Sequence, residues 1–73
     1  MAKAFPISNR VREVREQRGD MTQSDLGKLV GVTRQTIAAI EQERYSPSLE
    51  TAFRIAREFG VSIDSLFSWK EDA

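Results

Sequence analysis

The chain has 73 residues, with 11 lysines and arginines against 11 aspartates and glutamates, and it contains neither histidine nor cysteine. That composition excludes disulfide stapling, Cys/His metal sites and catalysis resting on histidine or cysteine, and apolar runs of only a few residues exclude a membrane-spanning helix. A chain this small buries only about 60% of its unfolded surface, so packing within one domain, 1–73, has to carry the fold.

The opening MAKAFPIS carries one lysine and too little apolar length for a secretion signal, so a soluble cytoplasmic domain is expected. Ile7, Val11 and Val14 recur at helical spacing around the charged stretch RVREVREQR, which predicts a first helix over Asn9–Arg18 with Gly19 as its stop. Thr22 then offers a hydroxyl cap that Asp25 can answer, and Leu26, Leu29 and Val30 form the apolar stripe of a second helix. Gly31 breaks that run, and Thr33 caps a third helix over Arg34–Gln42.

Tyr45-Ser46-Pro47-Ser48 reads as a loop, because Pro47 disfavours helical backbone at Ser46. Ser48 caps a fourth helix through Leu49, Ala52, Phe53, Ala56 and Phe59, which Gly60 ends. Ser62 caps a short fifth helix through Ile63, Leu66 and Phe67, and Ser68–Ala73 form a tail. Phe5 and Ile7 alternate, as do Phe67 and Trp69, which suits a small ribbon pairing the two ends. The expected fold is all-α: a compact five-helix domain with core about 9–67 and a short terminal β-ribbon. Its expected core is Val11, Val14, Leu26, Val30, Val32, Ile37, Ile40, Leu49, Phe53, Ala56, Phe59, Ile63 and Leu66.

The second and third helices are separated by about three residues that include a glycine, so they turn a corner instead of continuing straight. Counted from Gln23, the small Gly27 is fifth, where the third helix crosses closely, and Gly31 is ninth, where the turn needs a positive φ. Leu26, Val30, Val32, Ile37 and Ile40 stand where the two helices must lock together. Seven requirements met over eighteen residues make a specific signal.

The stretches REVREQRGDMTQSDLGKLVGVTRQTIAAIEQERYSPSLE and TAFRIAREFGVSIDSLF resemble the Cro and phage-repressor, or Xre-like, family of helix-turn-helix regulators, over about residues 9–67. The short stand-alone members are the most similar. Three departures stand out. Gly27 replaces the family's usual alanine, which permits the crossing but weakens the helix. RGDMTQ is one residue longer than the usual loop, and EQER lacks the glycine that usually follows the third helix.

The resemblance implies a transcriptional regulator that binds double-stranded DNA, and the third helix fits that chemistry. Ile37, Ile40 and Glu41 share one side of it, while Gln35, Ala39 and Gln42 share the other. Arg34 sits at its N-terminal edge, the end that leads into a major groove. Arginine pairs in a bidentate way with guanine and glutamine with adenine, and an alanine methyl suits a thymine methyl. Arg34, Gln35, Thr36 and Ala39 are therefore the expected base readers, and the family places base reading on the same positions. Gln23 at the start of the second helix braces the DNA backbone in that family. Thr33, Lys28, Arg10 and the Arg44-Tyr45-Ser46 segment are the other backbone candidates. A solvated polar face is the plain alternative for the third helix, and the surrounding corner weighs against it. Glu41 falls on the inward side, where an unpaired charge is costly. The family pattern implies a structural ion pair between it and Arg15.

Ile63, Leu66, Phe67 and Trp69 are the expected dimer surface, since short members of the family commonly pair through the fifth helix. A homodimer would read a near-palindromic operator with its third helices about 34 Å apart. The alternative from another class is a protein-interaction module, an antitoxin-like adaptor whose tail grips a partner protein. An enzyme, a cofactor and a metal are not expected. The even charge balance hides a slight asymmetry, with eight basic and six acidic residues in 1–44 against three and five in 45–73. Non-specific affinity for DNA should therefore be weak, and binding should depend on base contacts and symmetry.

Overall fold

The computed structural model describes residues 5–71; Met1–Ala4, the first half of MAKAFPIS, and the tail residues Asp72 and Ala73 lie outside the described residues. Five helices and one two-stranded ribbon follow in the order β1 (Ile7–Asn9), α1 (Val11–Glu16), α2 (Gln23–Val30), α3 (Arg34–Glu41), α4 (Leu49–Phe59), α5 (Ile63–Leu66) and β2 (Phe67–Trp69). The strands pair antiparallel in the register Ile7↔Trp69, Ser8↔Ser68 and Asn9↔Phe67, so the ribbon ties the described ends together. The Ser8 and Ser68 hydroxyls meet at 2.8 Å, and Lys70 N–H donates to the Pro6 carbonyl at 2.7 Å, extending the pairing.

Local chemistry sets the boundaries. Asn9 belongs to β1 and not to the first helix, because its Oδ1 accepts from Val11 N–H at 3.1 Å and so caps α1 from outside. At the other end Gln17 and Arg18 tighten into a turn, and Arg18 donates to the Phe59 carbonyl. Thr22 and Asp25 form a reciprocal capping box: the hydroxyl accepts from Asp25 N–H and the carboxylate accepts from Thr22 N–H. Thr33 and Ser48 cap α3 and α4 through their hydroxyls. Ser62 takes the cap position of α5, but its side chain makes no capping bond, in contrast to the expectation. Phe67 leaves α5 for β2, its backbone being extended at φ −121° and ψ 143°.

The core is Val11, Val14, Leu26, Val30, Ile37, Ile40, Ile55, Ala56, Phe59 and Leu66, with Val32, Ile63 and Phe67 packed against it. Two expected core residues lie outside it: Leu49 is 71% exposed and Phe53 48% exposed. The apolar arc of α4 is wider than the surface it can bury. Ala52, Ile55, Ala56 and Phe59 form the i, i+3, i+4, i+7 stripe that turns inward, and Leu49 and Phe53 fall on its flank. Leu29 behaves likewise on α2 and is half exposed, although the apolar stripe of that helix included it.

Candidate nucleic-acid interface

α2 and α3 meet closely because Gly27 removes the obstacle. A Cβ at that position would stand 2.6 Å from the Val32 carbonyl oxygen, nearer than real Cβ contacts come. The same close approach lets Val32 N–H donate to the Gly27 carbonyl at 2.9 Å. Gly31 supplies the left-handed residue at φ 81° that turns the chain between the helices. Ile37 and Ile40, both fully buried, then lock α3 onto the core.

The polar lock beneath α3 is equally specific. Arg15 Nε donates to Glu41 Oε2 at 2.7 Å and Nη2 donates to Oε1 at 3.2 Å, a fork-on-fork pair. Gln23 Nε2 donates to the same Oε1 at 3.0 Å, and Arg15 Nη1 donates to the Met21 carbonyl. The Glu41 side chain is 2% exposed and that of Arg15 12%. Hydrogen bonding to Glu41 holds the Arg15 guanidinium above its ordinary pKa, against the opposing effect of burial. Among the described residues no buried side-chain polar atom lacks a partner. The burial cost of this charge pair is thus met by a complete set of bonds.

The opposite face of α3 is open. Arg34 and Gln35 are exposed, and Thr36, Ala38 and Ala39 are half-buried along the same helix. Thr36 N–H donates to the Thr33 hydroxyl at 3.1 Å and the two hydroxyls meet at 3.1 Å, so Thr36 belongs to the cap as well as to the face. The first turn of α3 holds no acidic residue and begins with Arg34. A cation there opposes the helix dipole at a cost of ~0.3–1 kcal/mol, so stability alone does not account for it.

The other candidates divide. Arg44 is exposed one turn beyond α3, where its Nε donates to the side-chain Oε1 of Gln42 at 2.8 Å. Tyr45 follows at 49% exposure with Ser46 half-buried. Lys28 is exposed on α2. Gln23 stands at the start of α2 as expected, but its amide is turned onto Glu41, which leaves one amide proton for an outside acceptor. Arg10 is already engaged. It stands at the start of α1, its guanidinium bound to Glu13 at 2.7 Å and its N–H to the Leu66 carbonyl at 2.9 Å.

Ion pairing sorts the charges of this neutral chain. Arg10, Arg12, Arg15, Arg54 and Lys70 are each paired with a carboxylate. Five cations have no such pair among the described residues: Lys28, Arg34 and Arg44 lie on the corner and its exit, Arg57 lies on α4, and Arg18 follows α1 and donates to the Phe59 carbonyl.

The expected dimer surface is altered by burial. Leu66 is 1% exposed and occupied by its own core, so it has no surface left for a partner. Ile63 and Phe67 are half-buried, and Trp69 is 63% exposed. Ile63 and Phe67 instead line an apolar groove of about 260 Å³ together with Ile7, Pro47, Leu49 and Ala52. Sequence reasoning missed Leu49 as a surface residue, and also missed Asn9, which fastens β1 and α1 to α3. Its Nδ2 donates to the Ile40 carbonyl at 2.9 Å. An asparagine directly before a helical pattern was the available signal for its capping half.

A family model for helix-turn-helix proteins matches residues 11–66 of this chain. The chain belongs to the helix-turn-helix family. It is similar to the transcriptional regulator MJ0272 of Methanocaldococcus jannaschii, with 53% identity over 53 residues, covering 73% of this chain and 80% of that protein. It is also similar to the transcriptional repressor RstR of the cryptic phage CTXphi in Vibrio cholerae, at 36% identity over 89% of this chain and 58% of the repressor. Among solved structures the P22 c2 repressor in complex with a synthetic operator is similar at a TM-score of 0.72 and 29% identity, covering 75% of this chain and 82% of that one. This helix-turn-helix protein is therefore a DNA-binding transcriptional regulator of the Cro/Xre-like type, and not an enzyme. Among the described residues no helix is long and apolar enough to cross a membrane.

Proposed function

We propose that this regulator is a repressor that reads a specific duplex through the major groove with the first turns of α3. Arg34, Gln35, Thr36 and Ala39 take the base edges in this reading. Gln23, Thr33, Lys28 and the Arg44-Tyr45-Ser46 segment take the phosphates. The observation that carries it is the division of α3: an exposed arginine and glutamine open the helix, while Ile37, Ile40 and Glu41 fix its other side in the core. The repressor names of two similar proteins, one of them bound to an operator, support the same direction.

The protein acts as a homodimer on a near-palindromic site in this reading. The groove between β1, α4 and α5, with the exposed Trp69, Leu49 and Phe53 around it, is apolar surface of the kind a second copy covers. In vitro selection from a random duplex library tests the whole reading at once. The expected product is a two-fold symmetric site with half-sites about one turn, ~34 Å, apart. Titration of random duplex at ~50 and ~200 mM salt supplies the control, and no binding at the lower salt favours the protein-interaction adaptor instead.

A further inference from the structure

The C-terminal end of α3 carries an arrangement that the DNA-reading face does not require. Gln42 ends the helix, and Glu43 follows at φ 59°, the left-handed conformation in which glycine is usual. Glu43 N–H donates to the Ile40 carbonyl at 3.0 Å and Arg44 N–H to the Ala39 carbonyl at 2.9 Å, which is the bonding of a Schellman ending. Glycine would make this ending with less strain, yet the chain places a carboxylate there. Its partner is Lys70, just beyond β2, whose Nζ lies 2.7 Å from Glu43 Oε1 with both side chains about one-third exposed. From the other strand Asn9 Nδ2 donates to the Ile40 carbonyl, the same oxygen that receives Glu43 N–H.

Asn9 of β1 and Lys70 just beyond β2 thus grip one end of the reading helix, and the grip lies immediately before Arg44, Tyr45 and Ser46. A helix of eight residues is only about 12 Å long, so a small displacement of this end tilts the first turn. Binding geometry is useful only when it is held within about 0.5 Å by supporting residues.

We infer that the terminal ribbon is a strut for sequence reading, and that Lys70 and Glu43 are positioning residues that fix the tilt of α3 and the course of the Arg44–Ser46 segment on DNA. The inference rests on the reading that α3 enters the groove. It gives the left-handed glutamate a purpose, since the strain secures a tether that glycine cannot make.

The test compares the full-length wild type with Glu43→Gln, Lys70→Gln, the double variant and Glu43→Gly. The probes are the duplex selected by the wild type and a random duplex of equal length. If loosening the end leaves about a fifth of the molecules in the competent pose, each single variant loses roughly fivefold in its preference for the selected duplex. The double variant loses no more than either single one. Glu43→Gly relieves the strained φ, so its thermal midpoint should stay close to that of the wild type while its preference falls, which separates positioning from folding. A simple charge effect predicts something else: Glu43→Gln tightens and Lys70→Gln weakens binding to both duplexes, with additive effects. That pattern, or a Glu43→Gly variant with wild-type preference, overturns the strut alone. A wild type from which no site can be selected overturns the DNA-reading proposal and the strut with it.

Discussion

The first and last turns of α3 belong to one helix of eight residues and share almost none of their chemistry. At the start, Arg34 and Gln35 project into solvent beside a threonine cap, and the arginine works against the helix dipole. At the end, Ile40 is buried, Glu41 accepts three side-chain hydrogen bonds, and Asn9 and Lys70 hold the exit. One end forgoes local stability in favour of free donors, and the other gathers stabilising contacts. The difference shows how a neutral chain can address a polyanion. Glu41 and Glu43, the acids at the end of α3, are each paired with a cation, while Lys28, Arg34 and Arg44 on the corner and its exit have no carboxylate partner among the described residues.

The largest effect should come from the gripped end. Glu41→Ala leaves the Arg15 guanidinium in a site where only 12% of its side chain reaches water, and it also strands the Gln23 amide. Breaking a buried pair from one side costs ~3–5 kcal/mol; the partial access of Arg15 to water puts this case near the lower end. A domain of this length holds roughly 4–11 kcal/mol in all, so the loss is severe. Glu43→Ala breaks only the one-third-exposed pair with Lys70 and should cost less than about 1 kcal/mol. Urea unfolding of the two variants decides the matter, and equal midpoints would remove the distinction between a structural pair and a surface one.

At the free end the expectation reverses. Arg34→Ala with Gln35→Ala should leave the unfolding midpoint where it is or raise it slightly, because a cation leaves a helix N-terminus at a gain of ~0.3–1 kcal/mol. Binding should suffer instead. Each bidentate base contact discriminates by ~1–3 kcal/mol, so the double variant should bind selected and random duplexes almost alike while keeping its salt dependence. A destabilised double variant with intact preference would show that the two ends of α3 are not divided as described.

What was legible in the sequence follows the same division. The starts of α2, α3 and α4, the corner and the inward side of α3 could be read because they depend on local chemistry: the Thr22, Thr33 and Ser48 caps, the crossing at Gly27, and the spacing of Ile37, Ile40 and Glu41. The ribbon was readable from the alternation of Ile7 and of Phe67 with Trp69. Three features were not. The choice of Ile55 over Leu49 and Phe53 depends on where the other helices leave room, which α4 alone does not specify. The inward turn of Gln23 depends on Glu41, a neighbour 18 residues away. The pairing of Lys70 with Glu43 links the last strand to the middle of the chain, and only the ribbon register brings them together.

Gly27→Ala tests the joint that both ends of α3 share. Alanine improves helix propensity by ~1 kcal/mol, but its Cβ meets the Val32 backbone oxygen at 2.6 Å. Overpacking against backbone that cannot rotate away costs ~1–3 kcal/mol, so the net outcome is a loss of about 1 kcal/mol. Thermal unfolding measures the sign. A raised midpoint would mean that the corner can open by several tenths of an ångström without penalty, and that the grip on α3 is looser than its contacts suggest.

The smallest effect separates the helix starts at the corner by pH. α2 begins with a capping box that contains a carboxylate, and α3 with a hydroxyl cap that contains none. Hydrogen bonding from the Thr22 backbone N–H, and then from its side chain, holds Asp25 below its ordinary pKa. A lowered folded-state value means that the contribution is fully present above the unfolded value, ~3.9, and disappears as pH falls through the folded value beneath it. Acid should therefore loosen the start of α2 before that of α3. Asp25→Asn retains a carbonyl oxygen to accept from Thr22 N–H and removes the titration, so its urea midpoint should fall less steeply below pH ~4 than that of the wild type. Glu13, also held low by Arg10, titrates in both proteins and cancels from the difference. Parallel acid limbs would mean that the carboxylate of the box adds nothing beyond a neutral acceptor. The two helix starts would then be equivalent, and the asymmetry of the corner would rest on α3 alone.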